Sequence, residues 1–319
     1  MAGNNGSRAK RRRIFQLRRR IKRTIYVGVA GLIFIIIAAI FCGGKKTKET
    51  KEKKADVAIS QELAEENKKH ETIQKALGED KYGDRLGVLY RKYPKVEKIL
   101  LNREDYPDWL LEYFFTHEEA VDWVVDYPDY MAKSDEEINN RALESIDLND
   151  YYVRRNIPIY YQWDQKWGYA LYGSGTIAVE GCGPTCLSMV AVGLTGDTSY
   201  TPKRVADISV ELGYYAEGYG TDWAMMTNGA ALLGLSSYQI INNWSVDTIV
   251  GELKAGHPVI CSMGPGDFTS QGHFVVLTGV EDDGKVIIND PNSRINSRKK
   301  WDPQEILNQM EGAWVFSVV

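Results

Sequence analysis

The 319-residue chain falls into regions with different hydrophobic patterning. Thr24 to Phe41 is uncharged and strongly apolar, near the minimum length for a helix that crosses a bilayer, so 24–42 is predicted to be a transmembrane helix. Lys45 to Lys54 is charged and poor in apolar residues, as expected of a flexible spacer. From Ile59 to Leu77 acids and bases interleave at helical spacing, which predicts a solvated helix or stalk. Over 84–131 the apolar positions thicken. Leu86, Leu89, Val96, Ile99, Leu100, Trp109, Leu110, Phe114, Val121, Val124 and Val125 give short helices one buried face. These helices should end at Tyr93-Pro94, Tyr106-Pro107 and Tyr127-Pro128, because proline disfavours helix in the residue before it. The Tyr-Pro spacings, 13 and then 21, are unequal and do not mark a solenoid repeat.

The C-terminal half alternates between helical and strand patterns. Cys182 opens an apolar run through Leu187, Met189, Val190, Val192 and Leu194, a buried helix. Thr201 caps a helix begun by Pro202. Thr221 or Asp222 starts another through Trp223, Met225, Met226 and Leu232, and Ser245 starts a third that ends at Gly256. Strands are predicted at Val259-Ile260, at Gly272–Val280 and, after the turn Glu281-Asp282-Asp283-Gly284, at Lys285–Asn289; Ala313–Val318 closes the sheet. Asp302-Pro303-Gln304-Glu305 reads as a capping box for a short helix. The expected class is α+β, a helical half followed by a mainly antiparallel sheet.

The candidate chemistry sits where helix and sheet begin. In Gly181-Cys182-Gly183-Pro184-Thr185-Cys186 the first thiol lies at a helix N-terminus, where the free N–H groups and positive field favour thiolate. Gly181 and Gly183 would let a substrate backbone approach the sulfur. His273 starts one predicted strand and Asp290 ends the next, so a hairpin would bring them to the same end. A thiol, an imidazole and an orienting carboxylate together suit nucleophilic catalysis. His70, His117 and His257 read as exposed helical or loop residues.

Residues 155–319 resemble a cysteine peptidase of the bacteriocin-processing, double-glycine-leader type, in its extracellular "C thirty-nine-like" branch within the papain-like clan. The resemblance is carried by Pro158–Asp164, Tyr172-Gly173-Ser174-Gly175, the GCGPT of 181–185, Gly266-Asp267-Phe268-Thr269, the GHFVVLTGV of 272–280 and Asn289-Asp290-Pro291-Asn292-Ser293. It implies the papain-like cysteine peptidase fold, with Cys182 as nucleophile, His273 as general base and acid, Asp290 as orienting residue and Gln162 as oxyanion donor, Gln165 being the rival for that last role. Asp267, Phe268 and Thr269 are expected to form a mobile loop beside the cleft, and Gly218–Trp223, with Thr221, a second wall. No cofactor or metal is expected: Cys182 and Cys186 are one turn apart but lack further ligands.

Charge bears on topology. Ten cations without an acid in residues 1–23, within a formal net charge of −4, leave −14 for 24–319. That block predicts a cytoplasmic N-terminus, a single pass, and everything after residue 42 outside. A cleaved signal peptide lacks a small-x-small site, and Phe41 is too large for a lipid-attachment box at Cys42. Next to an apolar span the arginines report topology, and no basic-aromatic surface elsewhere suggests nucleic acid. Cys186 and Cys261 sit in apolar runs as core residues. The expected organisation is a basic tail (1–23), the membrane helix (24–42), a spacer and polar helix (43–83), a helical accessory region (84–150) and a peptidase-like domain (151–319). Three functions fit: a membrane-anchored peptidase acting on secreted or surface polypeptides, a hydrolase of peptidoglycan cross-peptides, and an inactive binding module.

Overall fold

The computed structural model describes residues 45–241 and 244–319. The basic tail, the apolar stretch 24–42 and Cys42 lie outside these residues, and no described helix is long and apolar enough to cross a membrane. The chain divides between Gly78 and Glu79 into two units. The described part of the first is the helix α1 (Lys45–Glu79). It starts earlier than the sequence suggested: Lys45–Lys54 continues the helix and is not an open spacer, since KKTKETKEKK contains no glycine or proline to break one.

Glu79–Val319 forms the second unit, so the accessory region and the peptidase-like region fold as one body. The accessory region is a repeat. A helix (Gly83–Lys92), a single 3₁₀ turn and a shorter helix (Glu97–Leu101) are followed by the same arrangement in α2 (Asp108–Thr116), a 3₁₀ turn (Glu118–Ala120) and Val121–Val125. Buried residues recur twenty-five positions apart: Leu86 and Leu111, Leu89 and Phe114, Val96 and Val121, Ile99 and Val124, Leu100 and Val125. The Tyr-Pro pairs conceal this period because they fall at different places. Tyr93-Pro94 and Tyr106-Pro107 do end helical segments, but Tyr127-Pro128 opens Tyr127–Met131, where the missing N–H costs nothing in the first turn. Trp109, expected inside, is half exposed, and Trp123 is fully buried in its place. Ion pairs such as Arg85–Glu112 and Lys92–Glu118 run between the copies on the surface, where each adds little.

In the C-terminal part, the short α3 (Ile177–Glu180) leads through Gly181 into α4 (Cys182–Thr195), buried from Gly183 to Val192. Gly196 ends α4 at φ +76, a left-handed conformation that glycine adopts without strain. The caps of Thr201 on Pro202–Glu211 and Ser245 on α5 (Val246–Lys254) form as expected. The helix expected from Asp222 to Leu232 does not form as one piece. Asp222 caps a 3₁₀ turn (Trp223–Met226), the Thr227 hydroxyl closes it onto Ala224 O, and Asn228–Ala231 follows separately.

Five strands, β1 (Leu235–Gln239), β2 (Val259–Met263), β3 (His273–Val280), β4 (Val286–Asn289) and β5 (Met310–Val318), form an antiparallel sheet in the order β4-β3-β2-β5-β1. β4 is followed by α6 (Arg294–Arg298) and α7 (Pro303–Leu307). One side of the sheet presents Val259, Cys261, Val275, Leu277, Ile288 and Val315 to a core shared with Ile249, Leu253 and Ile306 of α5 and α7. α4 packs on β3 and β5. A bulge between Ile287 and Ile288 shifts the β4–β3 register by one residue. Continued, that register sets Asp290 opposite Val275, on the same face as His273; without the extra residue its side chain would point to the other face.

Candidate active site

His273 and Asp290, buried at the end of the β3–β4 hairpin, are joined by a 2.8 Å hydrogen bond between Nε2 and Oδ1. The ring's other nitrogen is left for Cys182, which lies within hydrogen-bonding reach at the first position of α4. Asp290 is held from several sides. Oδ1 also accepts from Asn292 N (2.8 Å), Oδ2 accepts from Asn296 Nδ2 (2.8 Å), and Asp290 N donates to Ser297 Oγ (2.9 Å).

The electrostatics follow from this packing. Burial opposes a thiolate at Cys182, but the hydrogen bond and positive charge of His273, with backbone hydrogen bonds at Phe274 and Gly183, bring its pKa below the usual thiol value. Burial likewise opposes an imidazolium at His273. The Asp290 charge and hydrogen bond outweigh it, with Cys182 adding to them, and hold the His273 pKa up at about 10. Both shifts favour a thiolate–imidazolium pair near neutrality. Cys186 and Cys261 are free, fully buried thiols whose pKa burial raises, which leaves them unreactive.

Gln162 is buried beside these groups. Its backbone N–H donates to Pro291 O (2.8 Å), tying it to the Asp290 loop, and Nε2 donates to Ala178 O (2.7 Å), with a longer approach of 3.5 Å to Val179 O. The rival Gln165 is placed elsewhere, its Nε2 bonded to Asp122 O and Asp126 Oδ2 in the accessory region.

A cleft of about 840 Å³ opens onto Cys182, His273, Asp290 and Gln162. Asp267, Phe268 and Thr269 line it, as expected, but their loop is pinned. Gln309 Oε1 accepts from Asp267 N (2.6 Å), its Nε2 donates to Asp267 Oδ2 (2.9 Å), its carbonyl takes Gly264 N (2.8 Å), and Phe268 packs on Trp301. Gly181, Gly183 and Thr221 do not line the cleft. A Cβ at Gly181 would lie 2.5 Å from Ile177 O, and one at Gly183 2.4 Å from Thr221 Oγ1, so both glycines admit neighbouring protein, not substrate. Thr221 is buried behind α4 and hydrogen-bonded to Tyr172 (2.8 Å). The second wall therefore does not come from 218–223. It comes from Phe115 to Glu119, the end of α2 and the turn that follows it.

That turn contains residues the sequence reading missed. His117, expected to be exposed, is half-buried in the cleft wall, near enough to feel the charges of His273 and Asp290. The Glu119 carboxylate accepts from Ser293 Oγ (2.9 Å), Arg294 N (2.9 Å) and Ile295 N (3.3 Å), fastening the segment that follows Asp290. Among the described residues no group of three or more His, Cys, Asp or Glu is arranged to hold a metal ion.

The model of the Peptidase_C39 like family matches residues 154–316, half of the chain, and takes in Gln162, Cys182, His273 and Asp290. The chain belongs to the Peptidase_C39 like family. Its C-terminal half is accordingly a peptidase-like domain of mixed helix and strand, and residues 84–131 are an addition outside the matched segment. No curated protein matches the chain.

Proposed function

We propose that this member of the Peptidase_C39 like family is a papain-like cysteine peptidase, anchored in the membrane by residues 24–42 with its cleft outside the cell, and that it hydrolyses peptide bonds in polypeptide substrates. The observation that carries the reading is the Cys182–His273–Asp290 arrangement, with the thiol pKa lowered and the imidazole pKa raised. The Cys182 thiolate adds to an amide carbonyl carbon. Gln162 Nε2 and the Cys182 backbone N–H hold the oxyanion, the C–N bond breaks, and His273 gives its proton to the leaving amine. Water then attacks the thioester, giving a proton to His273 while the acid leaves and the thiolate returns. Asp290 keeps the ring oriented through both steps.

The test is iodoacetamide labelling of the full chain between about pH 5 and 8, with the adduct located by mass spectrometry, alongside hydrolysis of peptides. The reading expects fast labelling of Cys182 below pH 7, lost or moved to higher pH in His273→Ala, together with peptide cleavage abolished in Cys182→Ala. A Cys182 that titrates like a free thiol near about 8.5 would count against it. Cleavage confined to purified sacculi would redirect it to peptidoglycan cross-peptides.

A further inference from the structure

The cleft wall contributed by the accessory region has its own chemistry. Two of its charged groups are engaged: Glu118 pairs with Lys92 at 2.6 Å, and Glu119 holds Ser293, Arg294 and Ile295. His117 is different. Its Nδ1 lies 3.1 Å from Tyr113 O and 2.9 Å from Thr116 Oγ1. Tyr113 O can only accept, and it also takes the His117 backbone N–H (2.9 Å); the Nδ1 contact is a hydrogen bond when Nδ1 carries the ring proton, the tautomer we assign. The Thr116 hydroxyl has its own acceptor in Tyr113 O (2.9 Å), which leaves a lone pair to share the Nδ1 proton. The ring is stacked on Tyr113 with centroids 4.3 Å apart and planes 12° from parallel, so its orientation is fixed. Burial lowers the His117 pKa, more than the hydrogen bond to Tyr113 restores it, so the ring is neutral near pH 7. In that tautomer Nε2 bears a lone pair, on the ring edge turned away from Tyr113 O, and has no partner among the described residues. The ring also lines the cleft.

We infer that His117 is a substrate-binding residue of the peptidase cleft, its Nε2 accepting a hydrogen bond from an N–H of the bound peptide. The inference rests on the peptidase reading for the identity of the ligand. It goes beyond that reading in giving residues outside the family-matched segment a direct hold on substrate. The repeat then acts as a binding wall fixed to the domain, and Glu119 keeps that wall in register with the segment carrying Asp290.

The experiment uses an internally quenched random peptide library to find the peptide the full chain cleaves fastest, and then measures kcat and KM for wild type, His117→Ala and His117→Gln. Glutamine retains a side-chain acceptor at similar reach. In His117→Ala, KM should rise about five- to tenfold with kcat within twofold, the worth of one hydrogen bond made equally in ground and transition states. His117→Gln should recover most of it, and the Cys182 alkylation rate should be the same in all three. An unchanged KM in His117→Ala overturns the inference, as does a KM rise that glutamine leaves uncorrected. Retention of library peptides on Cys182→Ala, with and without His117→Ala, separates the two readings. Peptides retained but never cleaved by wild type would sink the peptidase reading while still reporting the His117 contact as a fall in retention. No retention and no cleavage overturns both.

Discussion

Tyr113 Oη and Gln162 Nε2 donate to the same acceptor, the carbonyl oxygen of Ala178, at 2.9 and 2.7 Å. One donor belongs to α2 of the accessory region and the other sits beside the nucleophile. Ala178 lies in α3, whose last residue, Glu180, is followed by Gly181 and Cys182. The accessory helix, the proposed oxyanion donor and the turn that delivers the thiol are therefore fixed to one another through a single peptide unit.

Removing the tyrosine hydroxyl should loosen that joint without touching the reacting atoms. Tyr113→Phe is expected to lower stability by about 1 kcal/mol and peptide hydrolysis a few-fold, with Cys182 alkylation unchanged. Gln162→Ala should do the converse, cutting kcat by about a hundredfold or more while leaving alkylation fast. Thermal melts and steady-state kinetics on the two variants check both.

The raised His273 pKa gives a pH signature for the site. A folded-state pKa above the unfolded value of about 6.5 means a stabilising contribution that is complete below that pH and lost as pH rises through about 10. Asp290 is the main source of the rise. The melting-temperature advantage of wild type over Asp290→Asn should therefore be largest near pH 6 and shrink steadily between about pH 6.5 and 10. A gap independent of pH would mean that the pair is not an ion pair.

Glu119 should behave as a fastener. Glu119→Ala is expected to cost about 2 kcal/mol, because three hydrogen bonds to a carboxylate are lost together. Amide exchange at Arg294 and Ile295 should quicken, which hydrogen-exchange mass spectrometry of the 291–298 peptide would detect.

Gly181 tests the packing of the nucleophile's turn. An alanine there meets backbone atoms of Ile177, which cannot swing aside as a side-chain tip could. Gly181→Ala should destabilise by about 1–3 kcal/mol and slow Cys182 alkylation, as seen in a melt and a labelling time course.

How much of this was legible beforehand depended on how local the signal was. Cys182 at a helix start, His273 at a strand start and Asp290 at a strand end are written in short stretches with a proline in the first helical turn, continuous apolar runs and a proline stop, and these elements formed where expected. β1 was missed because its burial alternates along the strand but its five residues, LSSYQ, carry no matching alternation of apolar and polar types. The 221–232 helix was over-extended because its apolar spacing hides a break at Thr227. His117 and Glu119 could not be recognised at all. Their partners, Tyr113 and Thr116 aside, lie across the fold at 273 to 295, and no local pattern encodes a contact made over some 170 residues. The glycines misled for a related reason: the sequence says that a side chain is unwelcome, but not whether protein or substrate fills the space.

The twenty-five-residue repeat supplies a comparison within one molecule. In the first copy the turn between helices reads Lys92-Tyr93-Pro94, and in the second it reads His117-Glu118-Glu119. Both copies reach the cleft, the first through Lys92 alone and the second through Phe115 to Glu119. Where the first copy has a proline nitrogen without a hydrogen, the second has a carboxylate with three donors and a ring with a free acceptor. Transplanting the first turn into the second would keep the apolar ladder that folds the repeat while removing His117, the Glu118–Lys92 pair and the Glu119 fastening together. The apolar ladder and the cleft-facing ring are thereby written in separate residues, and Glu119 is the residue that couples them.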